Sequence, residues 1–332
     1  TEFFNYYDAF AFWLFEKLMV KFNPPKPLET PVLFLIYNRI DTTRQVFEMI
    51  RKAKPPRLYI AADGPKEGVE GDVEKVKAVR EYVLNNVDWD CEVKTLFRDK
   101  NLGCGKAVSE AITWFFENEE MGIILEDDTL PSLSFFWFCE ELLEKYKDEK
   151  KVWHIGGCNF QDGIKRGKGD YYFSVYNHIW GWASWADRWR YYDFKLEKIK
   201  DGSFIRRVFS SKDEIKYWSK IFAKMKSPNP IDTWDYQWTF TMWYYGGLAI
   251  LPNVNMISNI GLGQEATHTR GGISDLFNMK RYDLVIHNHP DQIIADREAD
   301  EYTFRRVFAP KPVYIRAIKK INKFINKVRR RI

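Results

Sequence analysis

Four cysteines, five histidines and no apolar run of membrane-spanning length set the first limits on this 332-residue chain. Cys91, Cys104, Cys139 and Cys158 form neither a CxxC pair nor a Cys/His ligand spacing, which argues against a disulfide framework and a zinc site. No segment reaches the ~18–20 apolar residues that cross a bilayer. The opening stretch "TEFFNYYDAFAFWLFEKLMVKF" lacks the basic start and small-residue cleavage site of a signal peptide. A reducing, cytoplasmic location is expected. Acidic residues run out late in the chain: none follows Glu301, while eleven Lys and Arg lie between Arg305 and Arg331. Taking those eleven from 51 leaves 40 basic against 46 acidic residues, so the net charge of +5 sits in the tail of a mildly acidic body. Such a body repels a duplex, which argues against nucleic acid as the partner.

Aromatic residues are plentiful at 17%, and apolar residues reach 45%, enough to fill a sizeable core. After "NPPKP", the segment "PVLFLIYNR" has the length of a buried strand, and "DTTRQVFEMIRKAK" reads as a helix capped by Asp41 or Thr42. "RLYIAADGP", "CEVKTLFRD" and "MGIILEDD" are further strands, alternating with helices in "DVEKVKAVREYVLNNV" and "GKAVSEAITWFFENE". The alternation predicts an α/β fold with a Rossmann-like, mostly parallel sheet flanked by helices. From about residue 150 the pattern gives way to aromatic stretches, "YYFSVYNHIWGWASWADRWRYYD" and "TWDYQWTFTMWYYGG", expected to pack onto the same sheet.

In such sheets ligands bind beyond the carboxyl ends of the strands. Three of these ends carry polar residues: Asn38 and Arg39, Asp63, and the run Glu126, Asp127, Asp128 in "GIILEDDTLPS". Adjacent carboxylates repel one another and lose hydration unless a cation compensates them. Mg²⁺ or Mn²⁺ suits oxygen ligands and is often held by one or two carboxylates together with a substrate phosphate. The alternative is a solvated acidic turn.

"ILEDD" resembles the DxD-type motif of GT-A fold glycosyltransferases, and the wider pattern over about residues 31–270 is most similar to N-acetylglucosaminyltransferase I and its bacterial and archaeal relatives. The resemblance implies that Asp128 holds Mn²⁺ on the donor diphosphate, with Asp127 on the donor's ribose or sugar and Glu126 in support. "YNRIDTTRQV" matches the family's first strand and helix and places Arg39 near the nucleotide. "AADG" matches the second strand end and points to Asp63 as the reader of the base. In the family that Asp reads uracil, so the resemblance favours a UDP-sugar; guanine carries the same kind of ring N–H donor, so a GDP-sugar is permitted. Asp63 is equally readable as the first residue of a tight turn. "NLGCGKA" fails as a phosphate loop, having Lys100 in place of the first Gly and Ala107 in place of Ser or Thr. Lys106 is either a donor contact or a surface lysine at a helix start.

Moving a sugar to a hydroxyl with inversion needs a general base. The resemblance points to the "WDYQW" segment, one residue longer than the family's, and so to Asp235, with Asp187 in "WADRW" as the second candidate. Trp234, Tyr236 and Trp238 would partly desolvate Asp235, which favours a base; the other reading is a helix cap. Trp180, Trp182 and Trp185 are either core or a sugar-stacking face. "SNIGLGQEATHTR" has the composition of a glycine-hinged loop, and His268 in it is a candidate metal ligand. His287 and His289 have ligand spacing but lie beyond the matched region.

The closing segment "PVYIRAIKKINKFINKVRRRI" repeats apolar residues every three or four positions opposite a face of Lys and Arg, as in a helix lying on an anionic membrane. The expected organisation is an aromatic segment over 1–27, a nucleotide-sugar-binding half over 28–150, an acceptor-binding half of the same domain over 151–300, and a basic amphipathic helix over 301–332. The expected activity is a metal-dependent glycosyltransferase at the inner membrane face, with a glycan or lipid-linked acceptor. The rivals are a sugar-phosphate nucleotidyltransferase and a non-catalytic membrane adaptor. The first usually has a Gly-rich loop after its first strand, and "FLIYNRIDTTRQ" has no glycine.

Overall fold

The computed structural model describes residues 22–261 and 274–309. The aromatic segment up to residue 21, His268 and the amphipathic repeat from residue 310 onward lie outside the described residues. Among the described residues eight strands form one mixed sheet: β1 (Val32–Ile36), β2 (Arg57–Ala62), β3 (Glu92–Phe97), β4 (Met121–Glu126), β6 (Val152–Gly156), β7 (Tyr171–Ser174), β8 (Trp182–Trp185) and β9 (Leu248–Pro252). Their order is β3-β2-β1-β4-β8-β6-β9-β7, and β5 (Thr129–Pro131) pairs with β10 (Ile257–Asn259) in a separate two-stranded ribbon. The α/β class and the mostly parallel sheet agree with the expectation from sequence.

The first four strands are parallel because each returns through a helix, Ile40–Ala53, Asp72–Asn85 and Cys104–Asn118 in turn. β1 is buried throughout, as its unbroken Val-Leu-Phe-Leu-Ile run requires of a strand covered on both faces. β1 lies between β2 and β4, so the chain winds outward in opposite directions on its two sides. That reversal is a topological switch point, and the crevice beyond the carboxyl ends of β1 and β4 is the expected ligand position.

The aromatic half joins the same sheet. β8 runs antiparallel to both β4 and β6, with Ile124 opposite Trp182 and Met121 opposite Trp185. Trp182 stacks on Trp234 (centroids 5.6 Å apart) and on His154 (5.0 Å), within a layer that includes Trp153, Trp189 and Trp238. Trp182 and Trp185 are therefore core. A second aromatic cluster forms around Trp218, Phe240 and Trp243, with Phe308 at 4.8 Å from Trp218.

The helix after β1 starts at Ile40, with Arg39 as its N-cap residue in place of the expected Asp41 or Thr42. Among the described residues no side chain caps it; the Arg39 carbonyl accepts from the Thr43 amide at 3.0 Å and from the Thr43 hydroxyl at 2.6 Å. Starting the helix there leaves the Arg39 side chain pointing across the switch point.

Candidate functional site

A cavity of about 790 Å³ opens at the switch point, within the roughly 300–1,000 Å³ of small-ligand sites. Its wall includes Asn38, Arg39, Asp63, Glu126, Asp127, Asp128 and Asp235, so seven residues singled out in the sequence share one space. Lys106 and Asp187 do not line it.

β4 delivers Glu126 as its last residue, and Asp127 and Asp128 form the turn into β5. The Thr129 hydroxyl fixes that turn, accepting from the Glu126 amide at 2.9 Å and donating to the Glu126 carbonyl at 3.0 Å. Asp127 is buried at 3% exposure, and its Oδ2 accepts from the Tyr37 amide at 3.2 Å. Arg39 bridges the two aspartates: Nη1 lies 2.9 Å from Asp128 Oδ2, and Nη2 donates to Asp127 Oδ1. Burial works against the charge of Arg39, but the two carboxylates outweigh it and hold the guanidinium firmly protonated. Burial raises the Glu126 carboxyl above its ordinary range, and the charges of Asp128 and Asp127 raise it further. Asp127 is also raised by burial, with Arg39 opposing.

The compensating cation for Asp127 and Asp128 in this structure is thus a protein side chain. Among the described residues no three His, Cys, Asp or Glu side chains converge as a self-sufficient metal cluster. The donor set is nevertheless all oxygen, and Glu126 and Asp128 both face the cavity. It fits a hard divalent cation whose remaining ligands come from water and a diphosphate.

The other lobe of the cavity is organised by Asp72, the first residue of its helix, which was not evident from sequence. It accepts from the Tyr37 hydroxyl (2.6 Å), the Asn38 side-chain amide (2.6 Å) and the Lys66 backbone amide (2.7 Å). Asp63 accepts from the backbone amides of Gly64 (2.9 Å), Leu102 (3.0 Å) and Gly103 (3.2 Å), tying the loop after β3 to the end of β2. Arg80 reaches the same strand ends, donating to the carbonyls of Asp63 (3.0 Å) and Arg98 (2.7 Å).

The opposite wall carries Asp235 at the start of the helix Asp235–Tyr245. Its Oδ1 accepts from the Tyr236 amide at 2.8 Å and from the Thr233 hydroxyl. Just before it, Asp232 accepts from the amides of Gly105 (2.9 Å) and Cys104 (3.2 Å), filling the start of the helix Cys104–Asn118 with a carboxylate of the chain itself. Asp232 is a second residue the sequence did not single out. Trp180 also lines the cavity, packed against Phe277 at 5.1 Å.

Asp187 lies elsewhere, paired with Lys150 at 2.6 Å and Arg188 at 2.5 Å. Burial would raise its carboxyl, but these two cations hold it below the ordinary range, which disfavours a base. Lys106 is exposed and 3.7 Å from Glu110 on its own helix. His289 is 3.0 Å from the Tyr171 hydroxyl, and the His287 amide donates to Asp170; neither histidine lines the cavity.

Neither a known family model nor a curated protein sequence matches the chain. Solved structures with partial likeness include a mannosyltransferase from Pyrobaculum calidifontis in complex with GDP-Man and Mn²⁺, with 11% identity, 74% of this chain and 64% of that chain covered, and a TM-score of 0.32. An apo UDP-glucose pyrophosphorylase gives 11% identity over 70% of this chain and 93% of that chain, with a TM-score of 0.35. HddC from Yersinia pseudotuberculosis gives 9% identity over 48% and 77%, with a TM-score of 0.29. Likenesses of this size assign neither an activity nor a substrate.

Proposed function

We propose that this protein is a metal-dependent, inverting glycosyltransferase that moves a sugar from a nucleoside-diphosphate sugar to a hydroxyl of a glycan or lipid-linked acceptor. The observation that carries the reading is the acidic turn Glu126–Asp128 at the β1/β4 switch point, facing Asp235 across one cavity. A bound Mn²⁺ or Mg²⁺, held by Asp128 with Glu126 beside it, would neutralise charge on the departing nucleoside diphosphate. Asp235 would accept the proton of the acceptor hydroxyl as that oxygen bonds to the sugar's anomeric carbon. Tyr37, Asn38 and the loop tied by Asp63 would bound the nucleotide. Trp180, on the cavity wall, would stack on a sugar or base. The basic segment beyond residue 310 would bring the enzyme to an anionic membrane surface.

A sugar-phosphate nucleotidyltransferase is the other reading that a nucleotide-sized cavity with an acidic rim accommodates. The two differ in what leaves: glycosyl transfer releases a nucleoside diphosphate, whereas nucleotidyl transfer from a triphosphate releases pyrophosphate. Incubation with a panel of UDP- and GDP-sugars and Mn²⁺, assayed for UDP or GDP, should give turnover that Asp128→Ala abolishes. Pyrophosphate release from a nucleoside triphosphate and a sugar phosphate, without diphosphate release from any sugar nucleotide, would replace the first reading with the second.

A further inference from the structure

We propose that Arg39 is an exchangeable counterion: without nucleotide it occupies Asp127 and Asp128, and on nucleotide binding it transfers to the diphosphate and releases Asp128 to the divalent cation. The inference rests on the glycosyltransferase reading above and goes beyond it, because it makes metal and nucleotide binding interdependent through one named side chain.

Three observations carry it. The two prongs of Arg39 hold one oxygen from each aspartate, so a metal approaching Asp128 Oδ2 competes with Nη1 for the same atom. A guanidinium fork pairs with phosphate as readily as with carboxylate, and Arg39 is still 24% exposed on the cavity wall, where a diphosphate can reach it. The two aspartates are also held unequally. Asp127 keeps the Tyr37 amide as a second partner at 3.2 Å, whereas Arg39 is the only side chain bonded to Asp128 among the described residues. Loss of Arg39 therefore leaves Asp127 in place and frees Asp128.

Gly261 fits the same account. A Cβ there would fall 2.2 Å from Asp128 Oδ2 and 2.8 Å from Arg39 Nη1, so the backbone lies directly against the pair. Any larger residue would wedge the two charges apart.

The consequence is a linkage. Metal alone must displace a guanidinium paired to both aspartates and binds weakly; nucleotide draws that guanidinium away and tightens the metal, and by reciprocity metal tightens the nucleotide. The test is Mn²⁺ titration of the full chain, followed by electron paramagnetic resonance, with and without saturating UDP or GDP, for wild type, Arg39→Gln and Arg39→Lys. Wild type should bind Mn²⁺ about tenfold more tightly with nucleotide than without, within the usual range of coupling between sites. Arg39→Gln should bind Mn²⁺ alone about tenfold more tightly than wild type, with little further gain from nucleotide. Arg39→Lys, a point charge able to hold only one carboxylate well, should fall between them.

Circular dichroism melts establish that each variant is folded at the titration temperature. Should Arg39→Gln fail to fold, the lysine variant decides: coupling equal to that of wild type overturns the exchange. If Arg39→Gln folds and binds Mn²⁺ no more tightly than wild type while nucleotide still tightens it, the exchange is wrong and the glycosyltransferase reading stands. Absence of Mn²⁺ binding to every protein, with every nucleotide, overturns both.

Discussion

Asp232 and Gly105 are 127 positions apart in the chain, yet the Gly105 amide donates to Asp232 Oδ1 at 2.9 Å. The contact joins the loop that leads into Asp235 to the first turn of the helix Cys104–Asn118. Asp232→Ala removes a carboxylate from a helix N-terminus, and at this exposed position it should cost about 1 kcal/mol in urea unfolding. If Asp232 also positions Asp235, kcat should fall several-fold with the donor KM little changed. Gly105→Ala should do the same or worse, because its Cβ would sit 2.8 Å from both Asp232 Oδ1 and the Thr233 carbonyl oxygen.

The two candidate bases separate cleanly. Asp235→Asn should lower kcat by roughly 10²- to 10⁴-fold, the usual worth of a general base, while leaving UDP or GDP affinity unchanged. Asp187→Asn, in an ion pair away from the cavity, should change kcat by less than about twofold. Equal losses in both variants would remove Asp235 from its assigned role.

Asp63 offers a test between tying a loop and reading a base. Its oxygens already accept from three backbone amides, which takes up most of a carboxylate's acceptor capacity. Asp63→Ala should therefore cost about 1–3 kcal/mol of stability, as for amides left without an acceptor. The ratio of UDP to GDP affinity, measured by calorimetry, should stay the same. A changed ratio would make Asp63 a base-reading residue.

His154 and His178 are buried, and burial depresses both to about 3. The Trp238 indole donates to His154 Nδ1 at 3.4 Å, so His154 is neutral with its proton on Nε2, which faces the His178 carbonyl at 3.1 Å. Among the described residues His178 Nε2 has no hydrogen-bond partner. Between pH 6.5 and 3 the unfolded chain binds protons at these positions that the folded chain refuses, so their contribution to stability is lost as pH falls below 6.5. The buried carboxyls of Glu126 and Asp300, both raised, act in the opposite sense, so a variant is needed to isolate the histidine. In urea unfolding at pH 6.5 and pH 5, His178→Leu should lose about 2 kcal/mol less than wild type over that interval.

The first four strands and the acid run closing β4 were legible in the sequence because buried parallel strands are short apolar runs with abrupt polar ends. Their partners were not. Arg39 was recognisable as a residue at a strand end, but its bridge to acids 88 and 89 positions away depends on β1 and β4 being neighbours. Asp187 was misplaced for a reason of strand direction. Because β8 runs antiparallel to β4, its far end pairs with Met121, at the opposite end of β4 from Glu126, and carries Asp187 there. The same reversal puts Trp180, just before β8, beside the cavity. Asp72 and Asp232 had no signal beyond being acids near helix starts, and only the folded chain shows what each one binds.

Three acids in a row look like one pool of negative charge, yet each has its own address. Glu126 still belongs to a strand paired through Leu35, Asp127 is turned inward to a backbone amide, and Asp128 looks out beneath a bare glycine backbone. Exchanging the first two letters, to Asp-Glu-Asp, would preserve composition and charge while sending a longer side chain into the tightest of the three berths. Spelling, and not sum, is what this corner of the molecule encodes.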